Sequence, residues 1–196
     1  MRLINKMEIS NKNYLDWVVE RPRQAYGYDA LYMIRKNTTF AGIRIEQSWS
    51  DLCILENILT TEKPDVIIEL GTKRGASSLF FSLFAKTFTF DITKYDVPKS
   101  DNIVYTICDI FENVEEIKSL IDNNKKVFLF CDNGNKPDEF KTFAPLLKKG
   151  DLIFVHDYGI EIKDEDTTPL VMELQLIEIS TSSIVEFSLL KGWRKL

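Results

Sequence analysis

The sequence predicts an α/β fold built on a doubly wound, mostly parallel sheet. Three observations carry that expectation. From residue 51 onward, stretches with helical spacing alternate with short apolar runs, the order that gives parallel strands joined by crossover helices. The run Asp65 to Leu70 has no polar face, as a strand covered on both sides requires. It leads directly into Gly71-Thr72-Lys73-Arg74-Gly75 and then Ala76-Ser77-Ser78. Strand, glycine turn and small-residue helix start together mark a ligand crevice at the carboxyl end of a parallel strand.

Residues 1–50 read as an N-terminal cap segment and residues 51–196 as the cofactor-binding part of a single structural domain. In the first part, Asn11-Lys12-Asn13 begin a short helix to Glu20, which Arg21-Pro22 ends. Asn37 to Gly42 is a turn, and Ile43 to Gln47 alternates in polarity. Ser48 or Ser50 caps a helix from Asp51 to Thr60, with Leu52, Ile54, Leu55, Ile58 and Leu59 on one face. Lys63-Pro64 stops it before the central strand. The helix opened by Ala76 runs to Ala85. Thr87 to Phe90 is the second strand, ending at Asp91. Asn102 to Ile107 is the third, followed by Cys108-Asp109 and a helix from Val114 to Ile121. Lys126 to Cys131 is the fourth, ending at Asp132; the helix after it, Lys136 to Lys148, is bent or cut short by Pro145. Leu152 to Val155 is the fifth, ending in His156-Asp157-Tyr158-Gly159. Thr168-Pro169 start a last helix through Leu176, and Ser183 to Leu190 reads as a strand near the edge.

A chain of 196 residues suits one domain with a full-sized core. Its formal net charge of −5 argues against a binder of the nucleic-acid backbone, which needs a basic face. No apolar run reaches membrane-spanning length, and Met1 to Glu8 lacks the apolar stretch of a secretory signal. Cys53, Cys108 and Cys131 are odd in number and set in apolar contexts. They read as reduced core cysteines of a cytoplasmic protein. The expected partner is a small-molecule acceptor, with neither nucleic acid nor membrane; a homo-oligomer is compatible with the sequence.

The glycine turn narrows the cofactor. A dinucleotide fingerprint reads G-x-G-x-x-G, and Lys73 stands where its middle glycine would let a pyrophosphate approach the backbone. The pattern is instead Glu69-x-Gly71-x-x-x-Gly75, which resembles motif I of S-adenosylmethionine (SAM) dependent methyltransferases of class I. Glu69, Gly71, Thr72, Gly75 and Ser77 are the candidate cofactor contacts there. Each predicted strand also ends in an acid: Glu69, Asp91, Asp109, Asp132 and Asp157. Asp91, twenty positions after Gly71, suits the ribose hydroxyls. Asp109 lies where a carboxylate would accept from the adenine amine, or where it would open the turn into the next helix. Asp132 and Asp157, on strands about 4.8 Å apart if they are neighbours, would converge on one hard cation, and Mg²⁺ fits so sparse a set. His156 is the only histidine. It joins Asp157 at one site only if the strand has already ended, because strand neighbours point to opposite faces. There it is a candidate metal ligand or general base.

With these residues in place, the chain resembles one family from about Gly42 to Gly159. That family is the small SAM-dependent O-methyltransferases grouped with cephalosporin hydroxylase, rhamnosyl O-methyltransferase and macrocin O-methyltransferase. The resemblance rests on Lys63 to Gly71 with Arg74-Gly75-Ala76-Ser77, on Phe90-Asp91-Ile92, and on Phe143 to Asp151 continuing into Val155-His156-Asp157-Tyr158-Gly159. It implies a Rossmann-like methyltransferase fold with a seven-stranded, mostly parallel sheet, with SAM as cofactor and Asp132 in both its cofactor and its catalytic site. It also implies that Asp132 and the pair His156-Asp157 hold Mg²⁺. In this sequence histidine replaces the first acid of that pair, and Asn133-Gly134 follow Asp132 without a second acid. The implied activity is methyl transfer to a hydroxyl of a sugar or other polar small molecule, with Asp132 and His156 as catalytic residues. The alternatives are a nicotinamide-dependent or hydroxylase-type oxidoreductase, and a non-catalytic binding module that kept the cofactor fold.

Overall fold

A computed structural model describes residues 39–180 and 188–196, which lie in one compact unit, Thr38–Leu196. The helix expected at 11–20 lies outside the described residues. Strands β1 (Thr39–Phe40) and β2 (Ile43–Arg44) pair antiparallel around the Ala41-Gly42 turn. Ser48 rather than Ser50 caps α1 (Trp49–Glu62). Its hydroxyl accepts the Asp51 N–H at 3.1 Å while the Asp51 carboxylate accepts the Ser48 N–H at 2.9 Å, so each end of the box satisfies an orphan donor. The helix therefore starts two residues before the expected Asp51. Leu52, Ile54, Leu55, Ile58 and Leu59 are buried, as their spacing predicts.

Seven strands form one sheet in the order β5-β4-β3-β6-β7-β9-β8. They are β3 (Val66–Leu70), β4 (Lys86–Asp91), β5 (Ile103–Ile107), β6 (Val127–Cys131), β7 (Leu152–Val155), β8 (Leu176–Glu178) and β9 (Lys191–Lys195). The five from β3 to β7 are parallel, and β9 runs antiparallel between β7 and β8. Helices α2 (Ala76–Phe81), α3 (Val114–Asn123), α4 (Lys136–Phe143) and α5 (Asp164–Glu173) complete the layers. Alternation along the strands divides the core in two. Ile68, Leu129 and Ile153 face one cluster, with Ile117, Phe140 and Trp193. Ile67, Phe128, Phe130 and Phe154 face the other, with Leu55, Leu59 and Phe81.

Several expectations need correction. The helix opened by Ala76 closes at Phe81, and 82–85 continue as turns. Leu176 belongs to strand β8, not to the last helix, which starts four residues earlier than Thr168 and carries Pro169 inside it. The Asp166 carboxylate accepts the Lys163 N–H at 2.8 Å, and that cap fixes the earlier start. Of the strand expected over Ser183–Leu190, residues 183–187 lie outside the described residues and 188–190 are not strand. The strand comes later, as β9, and lies second from the edge of the sheet, between β7 and β8. Pro145 does end its helix early: α4 stops at Phe143 and tightens into a 3₁₀ turn, Ala144–Leu146. Of the cysteines only Cys131 is buried. Cys53 is exposed because it shares the outward face of α1 with Glu56 and Thr60.

The register lines up the strand ends. Leu70 pairs with Phe90 and with Cys131, and Cys131 with Val155, so residues 71, 91, 132 and 156 leave the sheet at one level. At that level β3 and β6 meet backbone to backbone. Gly71 has φ +104°, and a Cβ there would overlap the Asp132 carbonyl oxygen and lie 2.7 Å from its carbon. Gly134 has φ +97° with open space around it. Gly71→Ala therefore destabilises by more than about 2 kcal/mol in urea unfolding, whereas Gly134→Ala shows backbone strain alone, about 1 kcal/mol. Equal costs for the two would contradict the close approach.

Candidate active site

The glycine turn is built around a buried acid. Glu69 is fully buried, and its Oε2 accepts from Ser78 Oγ on α2 and from Thr89 Oγ1 on β4, the latter at 2.6 Å. Its other oxygen, Oε1, is buried without a hydrogen bond. Burial pushes the Glu69 carboxyl up to about 7, against the pull of the Ser77, Ser78 and Thr89 hydroxyls. Thr72 Oγ1 lies 2.6 Å from Thr89 Oγ1 and is part of the same hydroxyl group. Gly75, at φ +72°, donates to the Thr72 carbonyl at 2.8 Å and hands the chain to α2.

Beside this turn, both oxygens of Asp91 accept backbone N–H groups. Lys73 donates to Oδ2 and Thr93 to Oδ1, each at 2.8 Å. The Lys73 ammonium lies 3.0 Å from Glu46 Oε1, so a solvated ion pair occupies it. Ile92, next to Asp91, is 65% exposed. Asp109, on the neighbouring strand end, accepts the Phe111 N–H at 2.9 Å. It therefore does open the turn toward α3.

The second half of the edge brings Asp132, His156 and Asp157 together, with one ligand-type atom of each within 4.8 Å of the others. β7 ends at Val155, and Asp157 takes φ +58°, so both residues of the pair turn to the same side. His156 Nδ1 lies 3.2 Å from Asp132 Oδ1 and 3.4 Å from Asp157 Oδ2, and Nε2 lies 3.6 Å from Asp51 Oδ2. Lys136 Nζ reaches the same two oxygens, Asp132 Oδ1 at 3.3 Å and Asp157 Oδ2 at 3.7 Å, as well as Glu161 Oε2 at 2.5 Å. Gln47 Nε2 donates to Asp132 Oδ2 at 2.6 Å. Behind them, buried Glu139 accepts the N–H groups of Asn133 and Asn135 and fixes the loop after Asp132.

Charge decides the protonation states. Burial opposes a charged His156, but Asp132, Asp157 and Asp51 outweigh it and raise its pKa well above the ordinary value. Burial would raise Asp51, yet His156, Ser48 and Ser188 hold it at about 2. Burial works against the Lys136 ammonium as well, and Asp132, Glu161 and Asp157 reverse it. Desolvation takes Glu139 up to about 7, against the donors of Asn133 and the nearby Lys136. His156 thus has a carboxylate near each ring nitrogen, and these surroundings favour its protonated form. Gln47, Asp51, Lys136 and Glu139 escaped the sequence reading. The Ser48-x-x-Asp51 box showed only a cap, and nothing in the sequence shows that a strand end 105 residues later lies against it.

A family model for rhamnosyl O-methyltransferase/CmcI matches residues 32–172, from before the first described strand to the last helix, with the candidate site from Glu46 to Glu161 inside it. The chain belongs to this family. A curated member, the rhamnosyl O-methyltransferase of Mycobacterium leprae (strain TN), is 28% identical over 142 residues, 63% of this chain and 61% of that protein. The chain thus spans about three fifths of the length of the curated relatives it matches. Among solved structures, an apo-structure of the rhamnosyl O-methyltransferase/CmcI family's CmcI matches with TM-score 0.63 at 16% identity, over 100% of this chain and 88% of that one. CmcI with Mg and SAM gives 0.59 at 15%, over 100% and 89%. The methyltransferase MycE with Mg and SAH gives 0.54 at 12%, over 76% and 50%. These likenesses establish the shared α/β Rossmann-like fold. No described helix is long and apolar enough to cross a membrane.

Glu69 makes a prediction for pH. Its unfolded carboxyl titrates near 4.5 and its folded one near 7. Between those values the unfolded chain has lost the proton and the folded chain keeps it, so stability falls as pH rises through this window. Urea unfolding at pH 4.5 and 7.5 should show Glu69→Gln gaining about 3 kcal/mol relative to the parent over that interval. A difference that does not change with pH would contradict a protonated Glu69.

Proposed function

We propose that this chain is a SAM-dependent methyltransferase acting on a hydroxyl of a sugar or other polar small molecule. Family membership supports the reaction class, and the Asp91 cradle carries the assignment of the cofactor. Two backbone N–H groups orient that carboxylate, one of them from the glycine turn itself, which leaves outward lone pairs for vicinal hydroxyls such as those of a ribose. The orphaned Oε1 of Glu69 beside Gly71 is a second polar atom that suits a hydrogen bond to the same ligand. Thr72, Gly75 and Ser77 shape the turn, and we assign Asp109 and Ile92 to the adenine side of the crevice. SAM, when bound, supplies an electrophilic methyl group. The chain's own contribution is positioning, holding an acceptor hydroxyl in line with that methyl.

Two of the three solved structures described above hold Mg. Asp132 and Asp157 do converge, but here their facing oxygens already meet the nitrogens of His156 and Lys136, and Gln47 takes the other oxygen of Asp132. That donor set does not fit a hard divalent cation, which needs carboxylate oxygens free to close to about 2.1 Å. With His156 protonated, the partly exposed carboxylates of Asp132 and Asp157 are the bases for the hydroxyl proton. We assign choice of acceptor to the segment 1–50, whose Gln47 touches Asp132, and to the loop after Gly159. The unpaired cysteines suit a cytoplasmic enzyme.

Calorimetric titration with SAM and with its demethylated product should give saturable binding, weakened at least tenfold by Asp91→Ala, as loss of a charged hydrogen-bonding group implies. Absence of binding by either ligand to the folded chain would overturn the cofactor assignment.

A further inference from the structure

We propose that Lys136, together with the Nδ1–H of His156, is a built-in cation that takes the place of a divalent metal between Asp132 and Asp157. The proposal relies on the methyltransferase reading only for the reaction the site serves. The two nitrogens bridge one and the same pair of oxygens, Asp132 Oδ1 and Asp157 Oδ2, from separate elements of the fold. Lys136 comes from the first residue of α4 and His156 from the end of β7. A metal entering between those oxygens would have to displace both nitrogens and then sit beside a buried ammonium group.

Lys136 occupies a position that local rules disfavour. Its side chain is 3% exposed, and it sits at a helix N-terminus, where the dipole repels a cation. A buried lysine there persists only when carboxylates surround it. Three do: Asp132, Asp157 and Glu161. The segment Asn133-Gly134-Asn135 adds no acid that would rebuild a metal shell. On this account Lys136 is a positioning residue. It holds two strand-end carboxylates in convergence, as an ion would, and does so permanently.

The test is metal affinity, read without turnover. Mn²⁺ titrations followed by electron paramagnetic resonance, and Mg²⁺ titrations by calorimetry, are run on the full chain, on Lys136→Met and on Lys136→Arg. The parent chain and Lys136→Arg should show no saturable site tighter than about 1 mM, the weak end of protein carboxylate sites. Lys136→Met should bind Mn²⁺ at least tenfold more tightly, and adding Asp132→Asn should remove the gain. One micromolar Mn²⁺ site in the parent chain, abolished by Asp132→Asn, overturns the proposal whether or not Lys136→Met folds. A folded Lys136→Met with unchanged affinity overturns it too. SAM binding is measured separately without metal, so failure of the cofactor assignment and failure of the built-in cation give different results.

Discussion

Carboxylates at the ends of parallel strands must be compensated, and this constraint shapes the crevice. The register of β3, β4, β6 and β7 gathers their acids at the carboxyl edge of the sheet, with Glu69 two residues deeper than Asp91 and Asp132. None of them can be left charged, buried and unpartnered. Each finds its own solution. Asp91 takes two backbone N–H groups, Glu69 is surrounded by hydroxyls and keeps its proton, and Asp132 and Asp157 gather around Lys136 and His156. The division follows depth. Where water is absent and no cation is near, protonation is the cheaper state; where a lysine can be anchored, charge survives.

The same network ties the first described helix to the sheet. Asp51 closes the capping box of α1 and also lies against His156 Nε2, while Ser188 holds its other oxygen. Folding of α1 and placement of the histidine are thus one event. Gln47, immediately before the cap, adds a direct hydrogen bond to Asp132. Residues 47–51 position the site from behind, although their sequence looks like an ordinary helix start.

Much of the architecture was legible because its signals are local. The apolar run before Gly71, the spacing of Leu52 to Leu59 and the strand-end acids depend on periodicity and turn chemistry, and all appear where expected. The antiparallel end of the sheet was not legible. Lys191–Lys195 is rich in charge, and its place inside the sheet comes from pairing with β7 and β8, which no local pattern encodes. The site divides in the same way. Asp132, His156 and Asp157 were identifiable from position along the chain, and the positive φ of Asp157 supplies the turn that lets both members of the pair face Asp132. Lys136 was not identifiable, because a lysine four residues after an aspartate at a helix start usually lies in solvent. Its burial depends on Glu161 and Asp157, which arrive from another loop.

A chain with a single histidine allows the electrostatic account to be tested on one resonance pair. The measurement is ¹⁵N NMR of the histidine-labelled protein across pH 6 to 8.5. An imidazolium compensated by Asp51, Asp132 and Asp157 predicts that both ring nitrogens stay protonated throughout. A neutral tautomer at pH 7, or a midpoint near the ordinary value of 6.5, would contradict it.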